Sequence, residues 1–544
     1  MKNQNDNRLG HIQSDLLECG LTIPDILLPR DQSGFAKWAV IACDQYTSQP
    51  EYWESVRDIV SNNPSTFNLI VPEAYLNDNF EGRTANINAA ALDYIRSGVF
   101  QDPIHSLILV ERSMSDGSKR TGIVAALDLE AYEYRPGSTS LIRATEATVA
   151  ERLPPRCAVK ASSPLDLSHV LVLVNDEGCT LIEPIAGLAS QNRLDVLYDF
   201  DLMKGGGHLK GYKVSEEAVS CFSTALKKLR DGSLQEQGSG TWAGAAADGA
   251  GAGAADGVGT GDADGVGTGA AADGTGAGAG AANGVGTGGA GAGAANGDNG
   301  VISSNGDISS KGGIRGIGAN VMLFATGDGN HSLAAAKMYW NSVKANLSED
   351  EAAKHPARFA MAEIVNIHSE AMIFEPIHRV VFNTSFDTIL EFADKFFKDR
   401  GVSYHESHSV NEYTPICESH SVNECRSTNN GCRFDFPILS KNRTGVITVE
   451  HPASGLPTAE LQAFLDDFCM SPQNASAKLD YIHGEKELFR LCEEKYCVCF
   501  LLPPIDKRSI FQTVIHDGVL PRKAFSLGQP NEKRYYMESR LIRS

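Results

Sequence analysis

The chain has 544 residues, of which 42% are hydrophobic and 21% charged, a composition typical of soluble globular proteins. Its 48 Lys and Arg against 68 Asp and Glu give a net charge of −20, which disfavours binding to nucleic-acid phosphates. The sequence shows neither a signal-peptide core after Met1 nor an apolar run of about 18 residues, so we expect a cytoplasmic protein.

Composition divides the chain into four segments. They are a disordered leader (1–20), an N-terminal α/β region (21–231), a low-complexity disordered insert (232–318) and a C-terminal α/β region (319–544). The insert is dominated by Gly and Ala and cannot bury a hydrophobic core. A second, short inserted loop is expected near 404–432, where Glu406–Glu412 is repeated at Glu418–Glu424.

Apolar runs before the insert alternate with helical patterns. Four runs predict strands, at 38–43, 106–111, 122–129 and 169–174, with Asp116-Gly117 as the turn of a hairpin. Helices are predicted from Pro50 onward and over 215–230. This alternation predicts an α/β or α+β fold, in which a mixed sheet has flanking helices.

The strongest functional signal follows the insert. A strand is predicted over 321–326, a tight turn over Gly327–Ser332 and a helix over 333–340. Free N–H groups and the dipole at a helix start favour phosphate, and Gly327 and Gly329 allow the backbone to approach it. We therefore predict a phosphate-binding turn that includes Asn330 and Ser332, with an ordinary helix-capping turn as the alternative.

Within this turn, two side chains are the predicted catalytic residues. Asp328 would hold Mg²⁺ or accept a proton from a hydroxyl group, and His331 would contact phosphate or transfer a proton. Glu51 and Asp44 are rival candidates for the catalytic base.

Additional candidates for binding substrate are scattered along the chain. They are Asp44 and Tyr46 after the first strand, Arg143 and Glu146 in a charge-dense segment that extends to Arg156, His378 and Arg379 after a proline, and Arg522 and Lys523 in the basic C-terminal segment. Arginines and lysines that converge on one place favour a phosphorylated ligand, whereas the alternative in each case is ordinary surface charge or a structural side chain.

The twelve cysteines include no CxxC pair, which indicates free thiols. A zinc site is the alternative; it would use Cys417, Cys425, Cys432, His405, His408 and His420.

Several motifs together resemble an uncharacterised bacterial family of unknown function, often labelled SpoOJ/ParA/ParB/RepB-type. The motifs lie at 38–53, 142–148, 206–212, 327–337, 363–368, 375–379 and 520–526. The central box is similar to the glycine turn of the ParB, sulfiredoxin and free-serine-kinase superfamily, which implies a ParB/sulfiredoxin-like element there. Many family members have Asp-Gly-His-His-Arg in this box, whereas this chain has Asp328-Gly-Asn-His-Ser332.

The resemblance implies phosphate chemistry at a helix N-terminus. It suggests a phosphotransferase that interconverts serine and phosphoserine, with Mg²⁺ and with a nucleotide or pyrophosphate as the phosphoryl partner. The alternatives are a ParB-like protein that binds nucleotide without turnover and a phosphoserine phosphatase. The change from arginine to Ser332 removes a charge that Arg379, Arg522 or Lys523 would have to supply.

Overall fold

A computed structural model describes residues 2–238, 320–407 and 433–543, except for the single positions 48, 77, 115, 168, 517 and 529. Most of the predicted insert, most of the repeated loop and the cysteines of the zinc alternative therefore lie outside the described residues. None of the helices in the described ranges is long and apolar enough to cross a membrane.

The fold is mixed α/β. Its helices are α1 (Lys2–Glu18), α2 (Phe35–Trp38), α3 (Pro50–Val60), α4 (Phe80–Arg96), α5 (Leu153–Ser162), α6 (Glu183–Ser190), α7 (Glu216–Gly238), α8 (Asn330–Lys344), α9 (Glu349–Lys354), α10 (Phe386–Phe396), α11 (Pro457–Met470), α12 (Glu485–Glu494) and α13 (Ser509–His516).

The strands before the insert are β1 (Leu21–Thr22), β2 (Asp25–Ile26), β3 (Ile104–His105), β4 (Ile108–Ser113), β5 (Lys119–Asp128), β6 (Tyr132–Glu133), β7 (Ile142–Ala144), β8 (Leu165–Leu167), β9 (Val170–Val174), β10 (Asp195–Asp201) and β11 (His208–Lys213). Those after it are β12 (Phe324–Asp328), β13 (Phe359–Asn366), β14 (Phe374–Phe382), β15 (Val402–Ser407), β16 (Phe434–Ser440), β17 (Arg443–Val449), β18 (Lys478–His483), β19 (Cys497–Phe500), β20 (Phe525–Leu527) and β21 (Ser539–Leu541).

The larger sheet has ten strands and joins the two sides of the insert. Its order is β10-β11-β4-β5-β13-β9-β12-β7-β6, and β1 pairs with β5. Strand β12 lies parallel to β7 and antiparallel to β9, while β13 lies parallel to β9 and antiparallel to β5. The central strands β12 and β13 thus come from the chain after the insert, and the rest of the sheet comes from the chain before it.

A second sheet of seven strands belongs to the C-terminal part of the chain. Its order is β15-β17-β16-β19-β14-β18, and β20 pairs with β14. Aromatic side chains of α10 and α11 pack on this sheet around Phe464, whose ring lies 5.3 Å from that of Phe397. Rings packed in this way bury a large apolar area, which stabilises the packing of the two helices on the sheet.

Alternating side chains of the large sheet serve two different cores. Val172 and Ile364 point to the face covered by α1, α7 and α8, where the largest apolar cluster lies. The other face carries two separate clusters, one with Val124 and Tyr536 and one with Leu171 and Leu527. Successive side chains of a strand point to opposite faces, which explains why neighbouring residues belong to different cores. On the second face, a polar gap separates the two apolar clusters.

Most predicted elements are present, with two local differences. The segment expected as a loose leader contains α1, in which Ile12 and Leu16 are buried against the large sheet. The apolar run 38–43 is buried as expected, but it forms only one bridge, between Ile41 and Arg534, and is not a strand. Apolar content predicts burial, and a strand needs in addition a partner of matching length.

Candidate functional site

The predicted turn lies where β12 ends and α8 begins. Gly329 has φ +80°, a left-handed conformation that favours glycine, and it directly precedes the helix. A Cβ on Gly327 would lie 2.8 Å from Cδ1 of Leu527, so a larger residue would collide with the neighbouring core. The Gly329 N–H donates to Oδ1 of Asp328 at 2.9 Å, which holds that carboxylate against the turn.

Ser332, in the first turn of α8, joins two side chains from other elements. Its Oγ accepts a hydrogen bond from Arg156 of α5 at 2.9 Å and lies 2.8 Å from Nε2 of His169, which precedes β9. Arg156 also forms an ion pair with Glu73, and its Nη2 lies 3.7 Å from Oδ2 of Asp44. One guanidinium therefore connects the helix start with two carboxylates.

The ionic groups of this cluster hold each other in their charged forms. Burial would raise the pKa of Asp44, but Arg156, a hydrogen bond from Gln45 and Lys533 outweigh it and lower that pKa to about 2. Burial would likewise lower the pKa of Arg156, and its anionic neighbours raise it instead. Asp44 and Arg156 are therefore both ionised at neutral pH.

The two histidines of the site are neutral at neutral pH. Burial is the main cause that lowers the pKa of His169 to about 4, and it does the same for His331, where Arg156 and Arg152 add to the effect. Nε2 of His331 accepts the N–H of Val149 at 3.0 Å, so its remaining proton is on Nδ1. His331 can thus offer only Nδ1 to a ligand.

Lys533 brings a cation to Asp328 from the far end of the chain. Its Nζ lies 3.4 Å from Oδ2 of Asp328. Burial lowers the pKa of Lys533, but the charges of Asp328 and Asp44 outweigh burial and raise that pKa above its usual value. The backbone around it is fixed, because the Ala42 N–H donates to the Lys533 carbonyl at 2.7 Å and the Tyr535 N–H donates to Val40 at 2.9 Å.

Two cavities meet at His169. The large cavity offers about 380 Å³ of space to the centre of a water molecule. It is lined by Ser332 of α8 and by three cations of the α5 segment, Arg152, Arg156 and Lys160. Its apolar wall consists of Leu69, Ile70, Val71, Leu76, Leu165 and Leu167. In the small cavity the corresponding space is about 30 Å³, and Asp328, Lys533 and His169 are part of its lining.

Three of the other predicted residues, Asp44, Glu146 and Lys523, lie near the turn, and a fourth, Tyr46, packs on Tyr52 of α3. The carboxylate of Glu146 accepts the N–H groups of Lys523 and Ala524 at 3.3 and 3.1 Å, which ties the segment before β20 to the end of β7. Burial raises the pKa of Glu146, and the charge of Lys523 opposes that effect. Tyr46 stacks on the ring of Tyr52 at 3.9 Å, and its neighbour along the chain, Asp44, belongs to the cluster around Arg156.

Five predicted residues occupy positions outside this cluster. Glu51 is exposed in the first turn of α3. Arg143 donates to the carbonyls of Ser140 and Val321, and burial lowers its pKa to about 10. In the second sheet, His378 accepts the Leu502 N–H, Arg379 donates to the Ile377 carbonyl and Arg522 donates to the Tyr481 hydroxyl. Arg143, His378, Arg379 and Arg522 thus hydrogen-bond to groups of the protein, and Glu51 lies at the surface.

Four members of the cluster were not among the predicted site residues: Glu73, Arg156, His169 and Lys533. Arg156 lies at the end of the charge-dense segment, in which only Arg143 and Glu146 were predicted. Glu73 lies in a short segment without any motif, so the sequence carries no signal for it. His169 is a polar residue at the edge of an apolar strand, and Lys533 is one of many cations in a basic segment. Their roles depend on strand order, which brings β9 next to β12 and the segment around Lys533 next to Ala42.

A family model described as a protein of unknown function, DUF1015, matches residues 26–466, and the chain belongs to that family. No curated protein matches the sequence. Among solved structures, a conserved hypothetical protein from Pyrococcus furiosus is 14% identical, with a TM-score of 0.25 over 39% of this chain and 72% of its own. A free serine kinase variant in complex with AMP is 16% identical, with a TM-score of 0.26 over 41% of this chain and 73% of its own.

Proposed function

We propose that the protein is a small-molecule phosphotransferase whose phosphoryl group is transferred at the Gly327–Ser332 turn. The observation that carries this proposal is the contact of Ser332 with Arg156 and His169, at the start of α8 and at the junction of two cavities. Helix N-termini and arginine side chains both commonly bind phosphate in proteins.

The large cavity suits a phosphoryl donor. Small-molecule pockets usually measure about 300–1,000 Å³ and combine an apolar lining with a few charged groups. Here the apolar wall around Leu69 and Leu165 would contact a nucleobase, and Arg152, Arg156 and Lys160 would bind its phosphates. This arrangement favours a nucleotide as the partner, and pyrophosphate would occupy only the cationic end.

The small cavity suits the acceptor, because Asp328 lies in its lining. We assign Asp328 as the group that takes the proton of the acceptor hydroxyl while the hydroxyl oxygen forms a bond to phosphorus. The bond from phosphorus to the bridging oxygen of the donor then breaks, and the donor leaves with one phosphate fewer. Lys533 Nζ, 3.4 Å from Asp328, offsets the negative charge of the reacting groups.

The rival bases are less suited to this role. The low pKa of Asp44 and its ion pair with Arg156 favour a permanently charged group that binds cations. Glu51 is exposed on α3.

The residues around the turn fit a magnesium ion that arrives with the phosphates of the donor. Mg²⁺ is commonly held by one or two carboxylates, several waters and substrate phosphates. Asp44 would be one such carboxylate, and Asp328 is the second candidate, as an alternative to its role as the base. The described residues contain no group of three or more His, Cys, Asp or Glu that would form a metal site by itself. When bound, the ion would neutralise charge on the phosphates.

Serine is the acceptor to test first, because the resemblance of the motifs implies chemistry on serine and phosphoserine. In the assay, serine is offered with Mg²⁺ and ATP, ADP or pyrophosphate, and phosphoserine with Mg²⁺ and ADP, with phosphate, or alone. Transfer to or from serine supports the proposal. Phosphate release from phosphoserine alone indicates a phosphatase, and nucleotide binding without any turnover indicates the non-catalytic alternative.

Asp328→Asn tests the role of the carboxylate. Loss of a general base usually costs about 10²–10⁴-fold in rate, so we expect at least a hundredfold lower turnover. Asp58→Asn, which changes an exposed carboxylate on α3, is the matched control and should keep full activity. A folded Asp328→Asn enzyme with normal turnover would contradict the assignment.

A further inference from the structure

The lining of the small cavity carries equal numbers of opposite charges. Beside His169 and apolar groups, it contains three cations and three carboxylates: Arg120, Lys533, Arg534, Asp328, Glu363 and Glu532. A cavity for phosphate alone would be lined mainly by cations. Four of these six charges pair within the lining, Arg120 with Glu363 and Lys533 with Asp328, so a ligand would bind the polar atoms that these pairs leave without a protein partner in the described residues.

Three of these side chains are buried and only partly hydrogen-bonded within the described residues: Arg120, whose Nε has no partner there, Glu363 and Arg534. Glu363, 3% exposed, uses Oε2 to accept from Arg120 at 2.9 Å and from Tyr536 at 3.0 Å, whereas Oε1 has no protein partner there. Arg534, also 3% exposed, donates to the carbonyls of Asn531 and Met203, whereas its Nη1 has no partner among the described residues. Buried charged groups left in this state are costly unless a ligand or water completes them.

Glycines make space for the side chains of Glu363 and Arg534. A Cβ on Gly122 would lie 2.5 Å from Oε1 of Glu363, and a Cβ on Gly206 would lie 2.5 Å from NH2 of Arg534. Gly122 is in β5, where a side chain would otherwise be favourable for the strand. Both charged groups therefore lie against positions where any larger residue would displace them.

We propose that the small cavity binds a small hydroxy-amino acid as its zwitterion, with the ammonium on Glu363 and the carboxylate on Arg534. The hydroxyl group would then lie toward Asp328, in the same cavity. This inference rests on the proposed phosphotransferase function for the direction of the hydroxyl, and it adds the two residues that select the acceptor.

The size of the cavity supports a ligand of this class. Enlarged by the radius of a water molecule, about 1.4 Å, the space of about 30 Å³ becomes roughly 150 Å³ if it is nearly spherical. That is the volume of about five water molecules in the liquid, which is enough for a ligand of the size of serine.

The test measures binding directly by calorimetry, using the full chain with Mg²⁺ and ADP. The probes are L-serine, glycerate, which lacks the ammonium, and ethanolamine, which lacks the carboxylate. We expect serine to bind at least tenfold more tightly than either analogue. Equal binding of serine and glycerate, or of serine and ethanolamine, would overturn the inference, as would no binding of serine to a protein that binds ADP.

Two variants assign the selectivity to residues. Glu363→Gln should weaken serine binding at least tenfold and leave glycerate nearly unchanged, while Arg534→Gln should weaken serine and leave ethanolamine nearly unchanged. Equal losses for all three probes would contradict the assignment. The comparison of probes on the unmodified protein stands even if a variant fails to fold. Selective serine binding without phosphate transfer would refute the proposed function and leave the zwitterion site intact.

Discussion

Replacing Arg156 with methionine tests whether the ionic cluster at the start of α8 holds the site together. Methionine keeps most of the apolar stem of arginine and removes the guanidinium. The change takes away the hydrogen bond to Ser332, the ion pair with Glu73 and the charge 3.7 Å from Asp44. Both carboxylates then remain in a largely buried place without their nearest cation.

The size of the effect follows from Asp44. Its pKa falls from 3.8 to about 2 in the folded protein, which corresponds to roughly 2 kcal/mol of stability. Because the folded-state pKa is the lower one, this contribution is complete above pH 3.8 and is lost as the pH falls through 2. Removing one partner of a buried ion pair typically costs about 3–5 kcal/mol. Since the Asp44 side chain is 30% exposed, we expect about 3 kcal/mol for Arg156→Met at pH 7.

Urea denaturation at pH 7 and at pH 4.5 measures this cost. The loss should shrink at the lower pH, because burial raises the pKa of Asp44 once its nearest cation is gone. Arg83→Met is the matched control; it breaks an exposed ion pair with Asp78, and such pairs are worth under about 1 kcal/mol. Equal stability of Arg156→Met and the unmodified protein at pH 7, or a loss independent of pH, would refute this reasoning.

Two further predictions concern the turn and the second sheet. Gly329→Val should lower stability by about 1–3 kcal/mol in urea denaturation, since φ of Gly329 is +80° and the new Cβ would lie 3.2 Å from Val170. The control is Gly187→Val, which has open space around it and should change stability little. Equal losses of stability in the two variants would contradict the role of the backbone conformation at Gly329. Burial lowers the pKa of His378 to about 4, so its contribution is present above pH 6.5 and is lost as the pH falls toward 4. His378→Gln should therefore flatten the fall in stability over that range by up to about 3 kcal/mol, and an unchanged slope between urea midpoints at pH 7 and pH 4.5 would show that His378 does not contribute.

Local patterns in the sequence were sufficient for many elements of the fold. The hairpin of β4 and β5 with its turn at Asp116, the strand β9 and the helix α8 all follow from apolar periodicity and glycine position. The mixed sheet with flanking helices is confirmed. Strand order could not be predicted, since it depends on pairing between segments separated by hundreds of residues.

The same limit applies to the candidate site. Asp328, Asp44 and Ser332 are polar residues beside glycines or strand ends, and such positions can be recognised locally. Glu73 and Lys533 acquire a role only through Arg156 and Asp328, which lie far from them in sequence. Arg379 and Arg522 looked like phosphate ligands because cations are visible in a sequence, whereas their partners within the protein are not.

The segment around Lys533 has a consequence for how the protein is made. It pairs with Val40 and Ala42, and the Tyr535 hydroxyl contacts Cys43, 492 positions earlier in the chain. A ribosome adds about 5–20 residues per second, so roughly half a minute to a minute and a half separates the synthesis of the two partners.

During that interval the apolar side chains of Val40 and Ile41 have no Tyr535 to pack against. Contacts of such long sequence separation form slowly, and unpaired apolar segments are prone to aggregate while they wait. Production of this protein should therefore depend on low temperature or chaperones more than its composition alone would suggest. The ion pair of Lys533 with Asp328 must likewise wait until Lys533 has been synthesised.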